Sequence, residues 1–228
     1  MITIKAYAKI NLCLRVLGRR PDGYHELETL FQQIDLCDTL LFSEADQALT
    51  VSSSHPDCPV GEKNIVHRAA DLLRRFSGCR CGVHIHIEKR IPMGAGLGGG
   101  SSDAAAALKG LNRLWRLNLD DAHLHQLASQ LGADVAFFLH GGSALGTGRG
   151  EQLQPLQLPL DYFGVLVYPH FPISTAWVYQ NLKINLTNSS KNSKFYSLTD
   201  LVNDLNSWQQ GFTNDLEKVV FEEYPELD

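Results

Sequence analysis

The sequence predicts a chain that mixes helices and strands in coarse alternation, with no internal repeat. Three observations predict it. Residues 2–17 alternate apolar and polar side chains. Residues 64–76 place Ile65, Ala69, Leu72 and Leu73 at helical spacing. Residues 92–108 read PMGAGLGGGSSDAAAAL, a glycine loop opening an alanine-rich helix.

Taken in order, residues 2–17 read as a strand pair, and 18–23 as a turn. Residues 29–41 and 49–54 read as further strands, and 55–61, with two prolines, as a loop. Helix 64–76 precedes a strand at 81–88. Two helices follow, from Ser102 to about Trp115 and over 120–131, with Ser101 or Ser102 able to cap the first. A turn holding Asp134 leads to a short apolar strand ending at Leu139, then a strand at 143–145. Residues 163–168 read as a buried strand and 174–182 as a helix. Residues 183–199 form a polar Asn/Ser/Lys-rich loop, and 200–208 and 215–223 are helical.

Composition narrows the function classes. At 228 residues the chain can bury one large core or two modest ones. Its net charge is −5 and its basic residues are scattered, so a nucleic-acid footprint is not expected. The densest basic run (Lys63, Arg68, Arg74, Arg75, Arg80) reads as a solvated helix face. No apolar run has the length of a membrane span and no signal-peptide core opens the chain, so a cytoplasmic protein without membrane contact is expected. Five cysteines without CxxC spacing read as reduced thiols. His84 and His86 share one face of a strand, as a metal pair or as its polar side.

The loop carries the chemistry. Gly94, Gly96, Gly98, Gly99 and Gly100 allow close backbone approach to a ligand, and a helix N-terminus behind them attracts anions, polyphosphates above all. The Walker pattern fails because no lysine precedes Ser101. Gly94, Gly96 and Gly99 match GxGxxG, but the following pattern is a second helix rather than a strand with an acidic end. A third pattern, PxxxGLG followed by paired serines and alanines, fits. Elsewhere, a carboxylate at Asp134 beside Phe137 and Phe138 is costly to desolvate without a partner. Lys9, flanked by Ala6, Ala8 and Ile10, is the simplest one. That pair is either a buried structural salt bridge or a catalytic one.

The loop resembles the phosphate loop of the GHMP small-molecule kinases. AKINL at 8–12, RPDGYHEL at 20–27, LGADVAFFL at 131–139 and GTGRGE at 146–151 make the chain similar to the 4-diphosphocytidyl-2-C-methyl-D-erythritol kinases within them, over about residues 2–180. The resemblance implies a two-lobed α+β fold: a ribosomal S5-like N-terminal lobe that binds ATP (1–150), and a partial, truncated α/β C-terminal lobe (151–228), with the cleft between them. It implies ATP-dependent phosphorylation of a small cytidine diphosphate substrate, by a monomer or homodimer. Asp134 would accept the hydroxyl proton and Lys9 would orient it. Pro92, Met93, Gly94, Ala95, Gly96, Leu97, Gly98, Gly99, Gly100, Ser101 and Ser102 would hold ATP, with Val51, Asn64 and Lys89 near its adenine or sugar. Asn11, Tyr24, His25 and Tyr179 would bind the substrate. Mg2+ would bridge the phosphates, with Ser102 the protein hydroxyl near it. The family's third, C-terminal glycine motif does not follow Asn214–Glu217, so a truncated binding remnant is the rival expectation.

Overall fold

A computed structural model describes residues 1–158, 163–171, 173–182 and 213–228. They fall into two compact units, each assembled from interleaved stretches. The first comprises Met1–Lys9, Gln33–Met93 and Leu97–Gly141. The second comprises Ile10–Gln32, Gly94–Gly96 and Gly142–Asp228. Two long strands, β1 (Ile2–Arg19) and β2 (His25–Ala45), pass through both. The expected strand pair within 2–17 is therefore one strand. No glycine, proline or turn-forming dipeptide interrupts it before Gly18, and the chain reverses only at 20–24.

In the first unit, β2 pairs antiparallel with β4 (Gly82–Glu88), which pairs parallel with β3 (Leu49–Ser53). Helix α1 (Ile65–Ser77) supplies the crossover between those parallel strands. Asn64 caps it, and Gly78 ends it in the left-handed conformation. Leu40 and Phe42 on β2 and Val83, Ile85 and Ile87 on β4 point into the core. His84 and His86 point to the other face, where Ser52 hydrogen-bonds both and Thr50 bonds His84. Among the described residues no cluster of three metal-ligating side chains occurs. Nor is any helix among them long and apolar enough to cross a membrane.

Helices α2 (Gly99–Leu114), α3 (Asp121–Leu131) and α4 (Ala133–His140) pack with α1 around this core. The expected strand ending at Leu139 is helix α4. Its apolar run is too short for periodicity to separate strand from buried helix, and packing against α2 and α3 decides it. α2 meets β2 closely at Gly110, where a Cβ would lie 2.5 Å from the Phe42 ring.

In the second unit, β2 pairs with β5 (Ser143–Gly148), and β5 with β6 (Gln152–Leu156). Strand β6 has no counterpart in the sequence reading, because Gln152, Gln154 and Pro155 disguise it; proline is tolerated on an edge strand. Cys13, Leu30 and Leu145 form a small core with Leu12, Leu156 and Leu158 against it. Residues 163–168 form no strand, and Phe163, Val165 and Val167 are exposed. Helix α5 (Thr175–Asn181) is capped by Ser174. It meets helix α6 (Glu217–Glu223) through Trp177 and Tyr224, 6.1 Å apart. Leu14 accepts from Asp215 N–H at 2.9 Å and donates to Thr213 at 2.9 Å. The expected elements at 183–199 and 200–208 lie outside the described residues.

Gly110→Ala tests the contact between α2 and β2. Alanine favours a helix interior by about 1 kcal/mol, but overpacking against a rigid, fully buried ring costs about 1–3 kcal/mol. The variant is expected to unfold at lower denaturant concentration, with an unchanged slope.

Candidate functional site

The stretches that flank the glycine loop are tied together by one buried lysine. After β4 ends, Asp38 Oδ1 of β2 accepts from the N–H groups of Arg90 (2.5 Å) and Ile91 (2.8 Å), while Oδ2 accepts from Lys89 Nζ. The same ammonium donates to Asp103 Oδ2 in the second turn of α2 at 2.7 Å. All three side chains are buried. Burial disfavours the Lys89 charge, but Asp103 and Asp38 outweigh it and its pKa is raised. Two carboxylates share one cation here, leaving a surplus negative charge. Burial accordingly pushes the Asp103 carboxyl up to about 7, against the pull of Lys89 and with the push of Asp38. Asp103 Oδ1 has no hydrogen-bond partner among the described residues. Lys89, expected near the adenine or sugar, is thus engaged by two carboxylates.

Gly98 begins α2 in the left-handed conformation (φ 70°), with no side chain capping the first-turn N–H groups. The helix starts at Gly99, so Ser101 and Ser102, expected as caps, lie inside its first turn. The first turn holds no acidic residue, which leaves the positive end of the helix dipole unopposed. Gly94 and Gly96 also have positive φ (70° and 74°), an alternation that turns backbone N–H groups into an anion-binding concavity.

Lys9 reaches the same helix end from β1. Its N–H donates to Leu97 O at 3.0 Å. A Cβ on Gly98 would lie 3.2 Å from Lys9 Cγ and 2.6 Å from the Phe138 ring, so only glycine lets the loop settle onto both. Lys9 Nζ stands 3.8 Å from Asp134 Oδ2, in the first turn of α4. Lys9 is only 6% exposed, and burial lowers its pKa while Asp134 offsets part of the drop. The Asp134 side chain is 35% exposed, so a buried cation backs a carboxylate that solvent or a substrate hydroxyl can reach.

The other expected nucleotide residues have mixed placements. Asn64 is consumed in capping: Oδ1 accepts from Val66 N–H (2.8 Å) and Nδ2 donates to Pro59 O (2.8 Å). Val51 sits mid-β3 opposite Ile85, half-buried. Ser102 is buried in the first turn of α2.

In the second unit, the turn before β2 is held by Arg20, whose guanidinium pairs with Asp22 (3.1 Å) and Glu26 (2.6 Å). Gly23 takes φ 86°, and the turn presents Tyr24, 57% exposed, with the Arg149 guanidinium 4.9 Å from its ring centre. His25 stacks on Tyr179 of α5 at 5.2 Å and 20°. Burial, then the Arg19 charge, lowers the His25 pKa, which favours a neutral ring with one donor and one acceptor. Asn11 donates to Thr29 Oγ1 at 2.6 Å, and Thr29 to Cys13 O at 2.8 Å.

Sequence reasoning missed Asp38, Asp103 and Arg149. Asp38 is the one charge in an otherwise apolar stretch (36–42), and Asp103 breaks the serine–alanine run; both signals were readable. Arg149 depends on the β5–β6 hairpin, which left none.

Asp103 generates a pH dependence. Its folded pKa lies above the unfolded value near 3.9, so ionisation costs the folded state more than the unfolded one. Its contribution to stability is full below about pH 4 and declines as pH rises through about 7. Asp103→Asn, which cannot ionise, is expected to flatten the slope of unfolding free energy against pH in that window.

Residues 64–142 match the family of GHMP kinases, N terminal domain. A 4-diphosphocytidyl-2-C-methyl-D-erythritol kinase of Chloroherpeton thalassium is 45% identical over 227 residues, covering 99% of this chain and 79% of that one. One from Prosthecochloris aestuarii is 46% identical over 230 residues, covering 98% and 78%. A crystal structure of 4-(cytidine 5'-diphospho)-2C-methyl-D-erythritol kinase superposes with a TM-score of 0.77 at 36% identity, covering 99% of this chain and 80% of that one. The chain belongs to the 4-diphosphocytidyl-2-C-methyl-D-erythritol kinase family, within the GHMP kinases.

Proposed function

We propose that the chain transfers the γ-phosphoryl group of ATP to the 2-hydroxyl of 4-diphosphocytidyl-2-C-methyl-D-erythritol, in the cytoplasm and in the non-mevalonate supply of isoprenoid precursors. One observation carries the reading. A buried lysine, a solvent-reachable carboxylate 3.8 Å from it and an uncapped helix N-terminus meet at Gly98. Residues 1–150 then serve as the ATP-binding lobe and 151–228 as part of the C-terminal lobe.

In this mechanism the substrate oxygen attacks the γ-phosphorus, the bond to the β-bridging oxygen breaks, and ADP leaves. The hydroxyl proton passes to Asp134, while Lys9 orients the hydroxyl and stabilises charge on the reacting oxygens. The loop from Gly94 and the first turn of α2 cradle the phosphates with backbone N–H groups. Mg2+ would neutralise phosphate charge. It fits this chain as a partner of the nucleotide's oxygens, with Ser102 the hydroxyl near it, because α2 brings no acidic residue to its first turn and the described residues build no metal cage. Tyr24 and the His25–Tyr179 stack supply flat aromatic surface for the cytosine, the neutral His25 an edge for its hydrogen bonds, and Asn11 would hold the methylerythritol end.

The purified chain with Mg-ATP and the cytidine substrate is expected to release ADP. Asp134→Asn, similar in shape, should fold normally and lower kcat by about 10²-fold or more; near-normal turnover would remove Asp134 as the base. Tyr24→Ala should raise KM for the cytidine substrate by about 10-fold, the loss of one stacked base at ~1–3 kcal/mol, with KM for ATP unchanged. An equal rise in both would overturn the substrate assignment.

A further inference from the structure

Behind the catalytic pair, within the first unit, lies a cavity of about 310 Å³, and of the residues that line it the kinase reading uses Ser102 alone. One face of α2 lines it through Ser102, Ala106, Lys109 and Arg113, spaced four, three and four residues apart as one helical stripe demands. Opposite stand Lys5 and Tyr7 of β1, on the same strand face as Lys9. Phe138 and His140 of α4 complete the wall.

The charge pattern of this cavity is one-sided. Lys5, Lys109, Arg113 and His140 line it, and no aspartate or glutamate does. Among the described residues, none of the four forms an ion pair with a carboxylate. Lys109 Nζ donates to Phe138 O at 3.3 Å, so it is held at the wall. Burial, then the neighbouring Arg113 charge, disfavours its ammonium, with only Asp121 opposing. Three cationic side chains around one half-apolar hollow repel one another, and a bound anion would relieve that repulsion.

We propose that this cavity is a second ligand site, for a small diphosphate ester with a compact apolar group. A diphosphate ester carries about three negative charges at neutral pH, matching Lys5, Lys109 and Arg113. The Phe138 and Tyr7 rings and the small side chains beside them suit a short hydrocarbon rather than a nucleoside. The volume lies at the low end of small-molecule sites, about 300–1,000 Å³. Occupancy is transmitted through Phe138, which lines the cavity and whose ring is the surface on which Gly98 rests beside Lys9. The binding site stands independently of the kinase reading; its effect on turnover rests on that reading.

The test is calorimetric titration of the intact chain with 3-methylbutyl diphosphate, the nucleotide and cytidine sites being filled with adenylyl imidodiphosphate and CDP. One equivalent is expected to bind. The double variant Lys109→Met, Arg113→Ala, with unaltered circular dichroism and unaltered affinity for adenylyl imidodiphosphate, should weaken that binding at least tenfold. In the wild type the probe should also shift KM for ATP at least twofold, and in the double variant it should not. No binding at millimolar probe, or equal binding in the double variant, overturns the site. Binding that leaves KM for ATP untouched overturns the transmission through Phe138. A chain that phosphorylates its substrate but ignores the probe refutes this inference alone. A chain that binds the probe but lacks turnover refutes the kinase reading alone.

Discussion

The glycine loop depends on Lys89 being buried between Asp38 and Asp103. A loop of this composition has no side chains of its own to hold it, and glycine's freedom works against a single conformation. Order must come from its ends. Asp38 fixes the entry by accepting two consecutive backbone N–H groups, at Arg90 and Ile91, and Lys89 ties that carboxylate to Asp103 on the helix that the loop opens. Loss of one partner from such a group would strand a buried charge, at a cost of about 3–5 kcal/mol. The arrangement joins β2, the end of β4 and α2, so the backbone around the glycine loop is held by the middle of the core.

A second electrostatic theme is the separation of charge states along β1 and α2. Lys9 is desolvated and has one carboxylate near its ammonium, whereas Lys89 has two carboxylates and a raised pKa. The first is poised to respond to an incoming anion; the second is neutralised and inert to it. The same residue type therefore sits in two electrostatic settings, one beside a part-exposed carboxylate and one between two buried ones.

Much of the site was legible in the sequence because it is local. Positive φ at alternate glycines, an apolar strand interrupted by Lys9, and a carboxylate beside two phenylalanines are short-range signals, and the structure brings the last two within 3.8 Å. The capping role of Asn64 was half legible: the helix boundary was found there, but not that Oδ1 caps it while Nδ2 ties back to Pro59 O. Residues 133–140 were misread because five apolar residues in a row fit strand and helix alike, and only packing against α2 and α3 decides. Residues 163–168 failed for the opposite reason. Their composition suits a buried strand, yet among the described residues nothing covers Phe163 or Val165. Asp38 and Asp103 are 65 positions apart, and no local pattern could pair them through Lys89.

The contacts of Leu14 bear on the order in which the chain can form during synthesis. The first unit is complete once Gly141 is available, whereas Leu14 finds its partners only at Thr213 and Asp215. At about 5–20 residues per second, the intervening seventy-odd residues take roughly 4–14 s to emerge. For that interval the backbone of residue 14 waits, beside Cys13 and Leu12, for a strand neighbour that the ribosome has not yet made. A newly made chain therefore passes through a stage with a finished first unit and an unfinished sheet edge, the stage at which a chaperone has most to shield.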